Sequence, residues 1–165
     1  MLFNNYYNRM YNLSKRILVN HHDVEDVLIV SFTRVFDNIY RFEYRGENSL
    51  DKWIKTIVIN ESIRLLNKAN RIVYNEDMAE FEKYTTESIA GFDTVDAEQI
   101  YTIIGNMPDG YRLVFNLYAL EGYTHKEISE LLDISENTSK SQLRKARMYI
   151  IDKMDKTENY GYAQN

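Results

Sequence analysis

A chain of 165 residues with 44% hydrophobic and 27% charged residues holds enough apolar material for a folded core, which excludes a disordered polymer and a large multidomain machine. Cysteine is absent and only His21, His22 and His125 supply imidazole, so a disulfide framework, a thiol nucleophile and a Cys/His zinc site are excluded. The formal charge of −5 is unevenly spread, at +3 over residues 1–72 (eleven Lys/Arg, eight Asp/Glu), −7 over 73–98 (one, eight) and −1 over 99–165 (eight, nine), and both flanks remain open to a polyanion.

One Pro and six Gly, with apolar residues recurring at three- and four-residue spacing, predict an all-α protein with short turns. The first helix is expected over Leu2–Val19, with Phe3, Tyr6, Tyr7, Met10, Leu13 and Ile17 on one face. Asp23 is a candidate cap for a second helix running to about Ile39. Its expected core stripe is Leu28, Phe32, Val35, Phe36 and Ile39; Ile29 and Val30 fall off the centre and either broaden the buried face or make a partner patch. A loop around Gly46 leads to Asn48 or Ser49, which open a third helix through about Arg71. The helical period then fades into the acidic run 73–94, read as a linker between a domain at 1–72 and a second at 95–165.

In the second domain a helix is expected from Val95 to Gly105, another begins at Pro108, and Gly122 suits its stop. The run GYTHKEISELLDISENTSKSQLRKARMYI then has the anatomy of a helix-turn-helix. Thr124 and Glu127 form a capping box, Ile128, Leu131 and Leu132 an inner face, Asp133 and Ile134 a turn, and Ser135 a second cap. Ser139, Leu143, Ala146 and Ile150 are the inward positions of the last helix. Residues 137–151 contain four basic side chains and no acidic one; Lys140, Arg144 and Arg147 share a face that suits phosphates and guanine edges. The polar side chains Thr138, Ser141 and Gln142 lie near the start of that helix, where a recognition helix meets bases. The plainer alternative is a solvated basic face.

Toward the middle of the first domain, Tyr40, Phe42, Tyr44 and Trp53 are interleaved with Arg41, Arg45, Lys52 and Lys55. Aromatic rings among cations can stack unpaired bases while neutralising phosphates, although Trp53 within an apolar helix also suits the core. Arg64, Lys68 and Arg71 repeat the spacing of Lys140, Arg144 and Arg147, so two basic stripes can hold one duplex at two places.

The segments VEDVL, SFTRVFDNI and YRGENSLDKWIKTIVIN, together with MPDGYRLVFNLYALEGYTHKEISELLDISENTSKSQLRKAR, resemble the extracytoplasmic-function (ECF) sigma factors of the sigma-70 superfamily over residues 2 to about 153. The resemblance implies that the first domain meets RNA polymerase core through Asp26, Ile29, Val30 and Arg34. It implies that the minus-10 element is met through Tyr44, Arg45, Asn48, Ser49, Lys52, Lys55, Asn60, Arg64, Lys68 and Arg71, with the loop 45–49 cradling a flipped base. The second domain would read the minus-35 element through Thr124, Lys126, Thr138, Lys140, Ser141, Gln142, Arg144, Lys145 and Arg147. Two departures stand out: the family usually has Gln-Glu where this chain has Ile29-Val30, and often Arg at the position of Thr56. The acidic run, with Glu76, Asp77, Glu80 and Glu82, is either a solvated spacer or, by resemblance, a strand for the basic channel that later carries RNA.

Catalysis is not expected. HHDVED at 21–26 does not converge on a metal from one helix turn, and no Walker loop, nucleophile elbow, HExxH or dinucleotide fingerprint occurs, so no cofactor is implied. Without a leader pattern or an apolar run of membrane length, a cytoplasmic protein without membrane insertion is expected. The partners implied are RNA polymerase core, promoter DNA and an anti-sigma factor; the rival is a helix-turn-helix regulator that binds DNA without recruiting polymerase.

Overall fold

The apolar spacing is realised as helix in a computed structural model that describes residues 2–74 and 97–161. In chain order these are α1 (Leu2–Leu18), α2 (His21–Asn38), α3 (Ser49–Lys68), α4 (Ala97–Gly105), α5 (Asp109–Phe115), α6 (His125–Leu132) and α7 (Glu136–Gly161). A 3-10 turn at Ile39–Arg41 follows α2, and a π-helical turn at Asn116–Leu120 extends α5. The fold is all-helical, and no strand occurs among the described residues. The chain divides into two compact units, Met1–Ile72 and Val73–Asn165. The expectation for Glu76, Asp77, Glu80 and Glu82 lies outside the described residues.

In the first unit α1, α2 and α3 pack against one another pairwise. Met10, Leu13, Ile17 and Leu18 of α1 meet a stripe of Val24, Val27, Leu28, Phe32 and Val35 on α2 and Ile54, Val58, Ile59, Ile63 and Leu66 on α3, all buried. Each such side chain stabilises the unit by roughly 2 kcal/mol relative to exposure. Phe36 and Ile39, expected in this stripe, are exposed instead. Phe36 lies one residue, about a 100° step, past Val35, and Ile39 falls in the 3-10 turn after the helix has ended. Phe3, expected on the inner face of α1, is also partly exposed, its ring edge-on to Phe32 at 4.8 Å.

The cap of α2 is Asn20 rather than Asp23. Its side-chain oxygen accepts the amides of His22 (2.9 Å) and Asp23 (3.3 Å). Asp23 enters the first turn and pairs with Arg71 at 2.7 Å. Helix α3 stops at Lys68, earlier than expected, because Asn70 takes a left-handed φ of 50° and lets the Arg71 amide reach back to the Leu66 carbonyl at 3.1 Å. A second tie, Arg9 to Asp51 at 3.0 Å, joins α1 to α3.

In the second unit α7 is the central helix and packs against α4, α5 and α6. Ile103, Ile104 and Met107 meet Ala146 and Ile150, and Ile100, Tyr111, Phe115 and Tyr149 close around them. The buried Arg112 fixes the corner between α4 and α5, donating to the Met107 carbonyl at 2.6 Å and pairing with Asp109. Gly110 permits a close approach: a Cβ there would lie 3.0 Å from the Val73 carbonyl and 3.3 Å from Gln142 Oε1. The neighbouring Tyr74 hydroxyl is pushed up to about 12 by burial. Pro108 precedes α5, and Gly122, at φ +77°, ends the π-helical turn, as the sequence suggested.

Val19 closes α1 at φ +66°, a conformation disfavoured for a β-branched residue. Replacing Val19 by Gly is expected to raise the stability of the first unit by about 1 kcal/mol, the strain outweighing the added chain entropy. Denaturant unfolding followed by near-ultraviolet circular dichroism measures it, with Val19→Ile giving no gain.

Candidate nucleic-acid interface

The helix pair of the second unit is set by its caps. The Thr124 hydroxyl accepts the Glu127 amide at 3.2 Å, and the Glu127 carboxylate accepts the Thr124 amide at 2.8 Å and hydroxyl at 2.7 Å. These bonds hold the Glu127 carboxyl below its usual range. Asp133, at φ 54°, turns the chain, and the Ile134 amide returns to the Ser129 carbonyl at 3.1 Å. Ser135 then accepts the Thr138 amide at 2.9 Å and starts α7. The capping box, turn and second cap occupy the positions read from sequence.

Successive residues step about 100° around α7. Ser139, Leu143, Ala146 and Ile150 are buried, and so is a second row of Thr138, Gln142 and Lys145. This second row corrects the sequence expectation. Gln142 is 0% exposed, beside Gly110, and Lys145 is 4% exposed. Thr138 belongs to the cap, its hydroxyl 2.8 Å from that of Ser135. None of the three can present its polar end to a duplex in this fold. α5 packs against α7 and its Gly110 comes close to Gln142, which spacing within α7 alone does not reveal.

Among the described side chains of α7, what remains outward is one arc. Lys140 and Arg144 are exposed, Arg147 and Ser141 half-buried, and the exposed Asn137 extends the row toward the helix start. Thr124 and Lys126, at the beginning of α6, are exposed too. The sequence reading passed over Asn137, although its i, i+3, i+7 spacing to Lys140 and Arg144 identifies it. It also passed over the exposed Glu136, whose carboxylate opposes the cations at the helix start.

His125 joins the two helices. Its Nδ1 lies 2.9 Å from the Ser139 hydroxyl, and its ring stacks on Tyr118 at 4.6 Å. Burial pushes its imidazole below the ordinary range; Lys140 and Arg147 act in the same direction and Glu136 against them.

In the first unit the loop 45–49 is a tight turn. Gly46 takes φ +102° and Asn48 φ +62°, and the Ser49 hydroxyl accepts the Arg45 amide at 3.3 Å. Asn48 precedes α3 but provides no side-chain cap. Tyr44, Arg45 and Asn48 are exposed and Ser49 half-buried. Trp53 is half-buried against Phe42, ring centres 5.4 Å apart, and so anchors the loop to α3. Lys52, Asn60, Arg64 and Lys68 are exposed on α3, with Thr56 and Asn67 between them; Lys55 is half-buried. Arg71 is held by Asp23 beyond the helix end. On α2, Asp26 is exposed, Ile29 is 67% and Val30 43% exposed, and half-buried Arg34 pairs with Glu61 of α3. The two apolar side chains therefore face outward and do not widen the core. His21 bonds to the Tyr11 hydroxyl (3.0 Å) and Glu25 (3.3 Å).

The fold is consistent with the comparisons. A model described as Sigma-70 region 2 matches residues 2–72, and one described as Sigma-70, region 4 matches residues 97–150. The chain is 27% identical over 165 residues to the ECF RNA polymerase sigma-E factor of Haemophilus influenzae, covering 93% of this chain and 86% of the relative. It is 24% identical over 147 residues to SigM of Bacillus subtilis, with 88% of each chain covered. SigW of the same species is 26% identical over 153 residues, covering 86% of this chain and 81% of the relative. The solved structure of the sigma factor RpoE of Bartonella quintana, in complex with the anti-sigma factor NepR, shares the fold at TM-score 0.58 and 16% identity, covering 93% and 94% of the two chains.

The His125 shift has a definite sign. Folding favours the neutral ring, so its contribution is complete above the unfolded value near 6.5 and is lost as pH falls through the lower folded value. NMR titration is expected to place His125 below 6.5, and urea unfolding to show a pH dependence of the second unit in that window that His125→Asn removes.

Proposed function

Because the chain belongs to the sigma-70 family of RNA polymerase sigma factors, in its ECF branch, we infer that it binds core polymerase and directs transcription initiation at its own set of promoters. The observation that carries this reading is the cationic arc of α7, with Lys140 and Arg144 outward and the opposite arc packed. Such a helix can enter a major groove only by that arc. The minus-35 contacts we propose are Thr124, Lys126, Asn137, Lys140, Ser141, Arg144 and Arg147.

The first unit, as residues 1–72, then holds core polymerase and the minus-10 element, residues 73–94 connect, and 95–165 read the minus-35 element. Tyr44, Arg45, Asn48 and Ser49 form the loop that takes an unstacked base, and Lys52, Lys55, Asn60, Arg64 and Lys68 follow the strand. Asp26, Ile29 and Val30 are the proposed docking face for core. Two exposed aliphatic side chains there favour a contact made by area burial more than by ion pairs. An anti-sigma protein is a further proposed partner, since the solved relative was crystallised with one. The protein acts in the cytoplasm by binding, with no reaction of its own. Among the described residues no helix is long and apolar enough to cross a membrane. A regulator that reads DNA without polymerase is not favoured, because the similarity runs through the first unit as well as the helix pair.

The test is reconstitution with core polymerase from the same bacterium. Specific initiation is expected at a promoter selected from a randomised pool, and failure to bind core ends the reading. Ile29→Lys is expected to weaken core binding about tenfold or more while leaving the fold intact, as read by surface plasmon resonance. Arg144→Ala and Lys140→Ala should each cost about 1–3 kcal/mol in minus-35 binding and lower the salt slope by about one. Unchanged duplex binding in both variants would assign that arc to solvent.

A further inference from the structure

One carboxylate in the first unit serves two cations. The Glu61 side chain is 7% exposed, and its Oε1 lies 2.8 Å from Arg34 Nη1 on α2 and 3.4 Å from Arg64 Nη1 on α3. A buried carboxylate requires one counter-charge, because leaving it bare is far costlier than losing an exposed pair. With two guanidinium groups on the same oxygen, one is in surplus. The geometry identifies which: Arg64 is the more distant and, at 60% side-chain exposure against 43% for Arg34, the more exposed. It also lies on the α3 surface that carries Lys52, Asn60 and Lys68.

We propose that Arg34 is the standing counter-ion of Glu61 and thereby a positioning residue for promoter binding, releasing Arg64 to a phosphate of the minus-10 strand. The inference rests on the proposed function but changes the role of Arg34, which resemblance assigned to the polymerase surface. The shorter ion pair joins α2 to α3 and stays closed when DNA arrives; the longer one opens. If Arg34 is removed, Arg64 is the remaining cation on Glu61 among the described residues, and DNA must then extract it from a buried carboxylate. Arg34 therefore governs DNA affinity without touching DNA.

The experiment uses the full chain assembled with core polymerase and a fluorescein-labelled single strand that the wild-type holoenzyme has selected from a randomised pool. Arg34→Gln is expected to leave core affinity within about twofold, to weaken strand binding roughly three- to tenfold, and to lower the salt slope by about one, as Arg64→Gln does. Arg34→Gln combined with Glu61→Gln is expected to restore both affinity and slope, since Arg64 then has no carboxylate to neutralise. A structural role alone would lower thermal stability without this rescue, and a polymerase-contact role would lower core affinity instead; either result overturns the proposal. Unchanged strand binding by Arg34→Gln, with the wild type binding normally, overturns it while the sigma-factor reading stands. A wild-type protein that binds neither core nor strand overturns that reading, and the inference with it.

Discussion

A helix packed on several sides has one arc left for a partner, and both units are organised around that constraint. Helix α3 is enclosed by α1 and α2, and α7 by α4, α5 and α6. In each case the remaining arc carries the cations: Lys52, Arg64 and Lys68 on one, Lys140 and Arg144 on the other. The apolar residues thus do more than stabilise; by fixing which arc is covered they fix where positive charge can be offered. In the proposed role a nucleic-acid phosphate would meet each arc while the opposite side stays committed to the core.

Orientation within each unit comes from polar groups that tolerate few alternatives. The buried Arg112 guanidinium bonds to the Gly105 and Met107 carbonyls and pairs with Asp109, which ties down the turn at which α5 leaves α4. The His125–Ser139 bond does the same for α6 against α7. Apolar packing is adaptable by comparison, and buried polar partners choose one arrangement among several of similar burial. In the first unit Glu61 has this part, joining α2 to α3 through Arg34.

Local signals were readable from sequence where the chemistry is local. Thr124 with Glu127, Ser135, Pro108 and Gly122 sit where their backbone roles require, since a cap or turn is decided within four residues. Asn20 outcompeted Asp23 because its oxygen reaches two amides at once, and Asn70 performs a stop usually sought at Gly. Nothing in the sequence announces the π-helical turn at Asn116–Leu120, where the Asn116 side chain bonds back to the Arg112 carbonyl at 2.8 Å. The burial of Thr138, Gln142 and Lys145 escaped for a different reason. Polar residue types and their nearness to a helix start suggest base contact, but burial is decided by what packs against α7, as Gly110 of α5 does beside Gln142, and that is a tertiary fact. The same logic hid the Glu61 pair, whose partners lie on different helices.

The outward placement of Ile29 and Val30 separates the two associations of the inferred role physically. Docking through aliphatic area is nearly indifferent to ionic strength, whereas promoter contact through Arg and Lys weakens steeply as counter-ions compete for phosphate. Family members with Gln-Glu at these positions would lay a polar, partly charged surface on the polymerase, so both of their contacts would respond to salt. With Ile29 and Val30 as the proposed docking face, the two responses of this chain would diverge. A rise in ionic strength would release DNA while core stays bound, and the holoenzyme could search again without reassembly. That separation follows from replacing a carboxylate and an amide with two aliphatic side chains on a surface the core of the unit does not use.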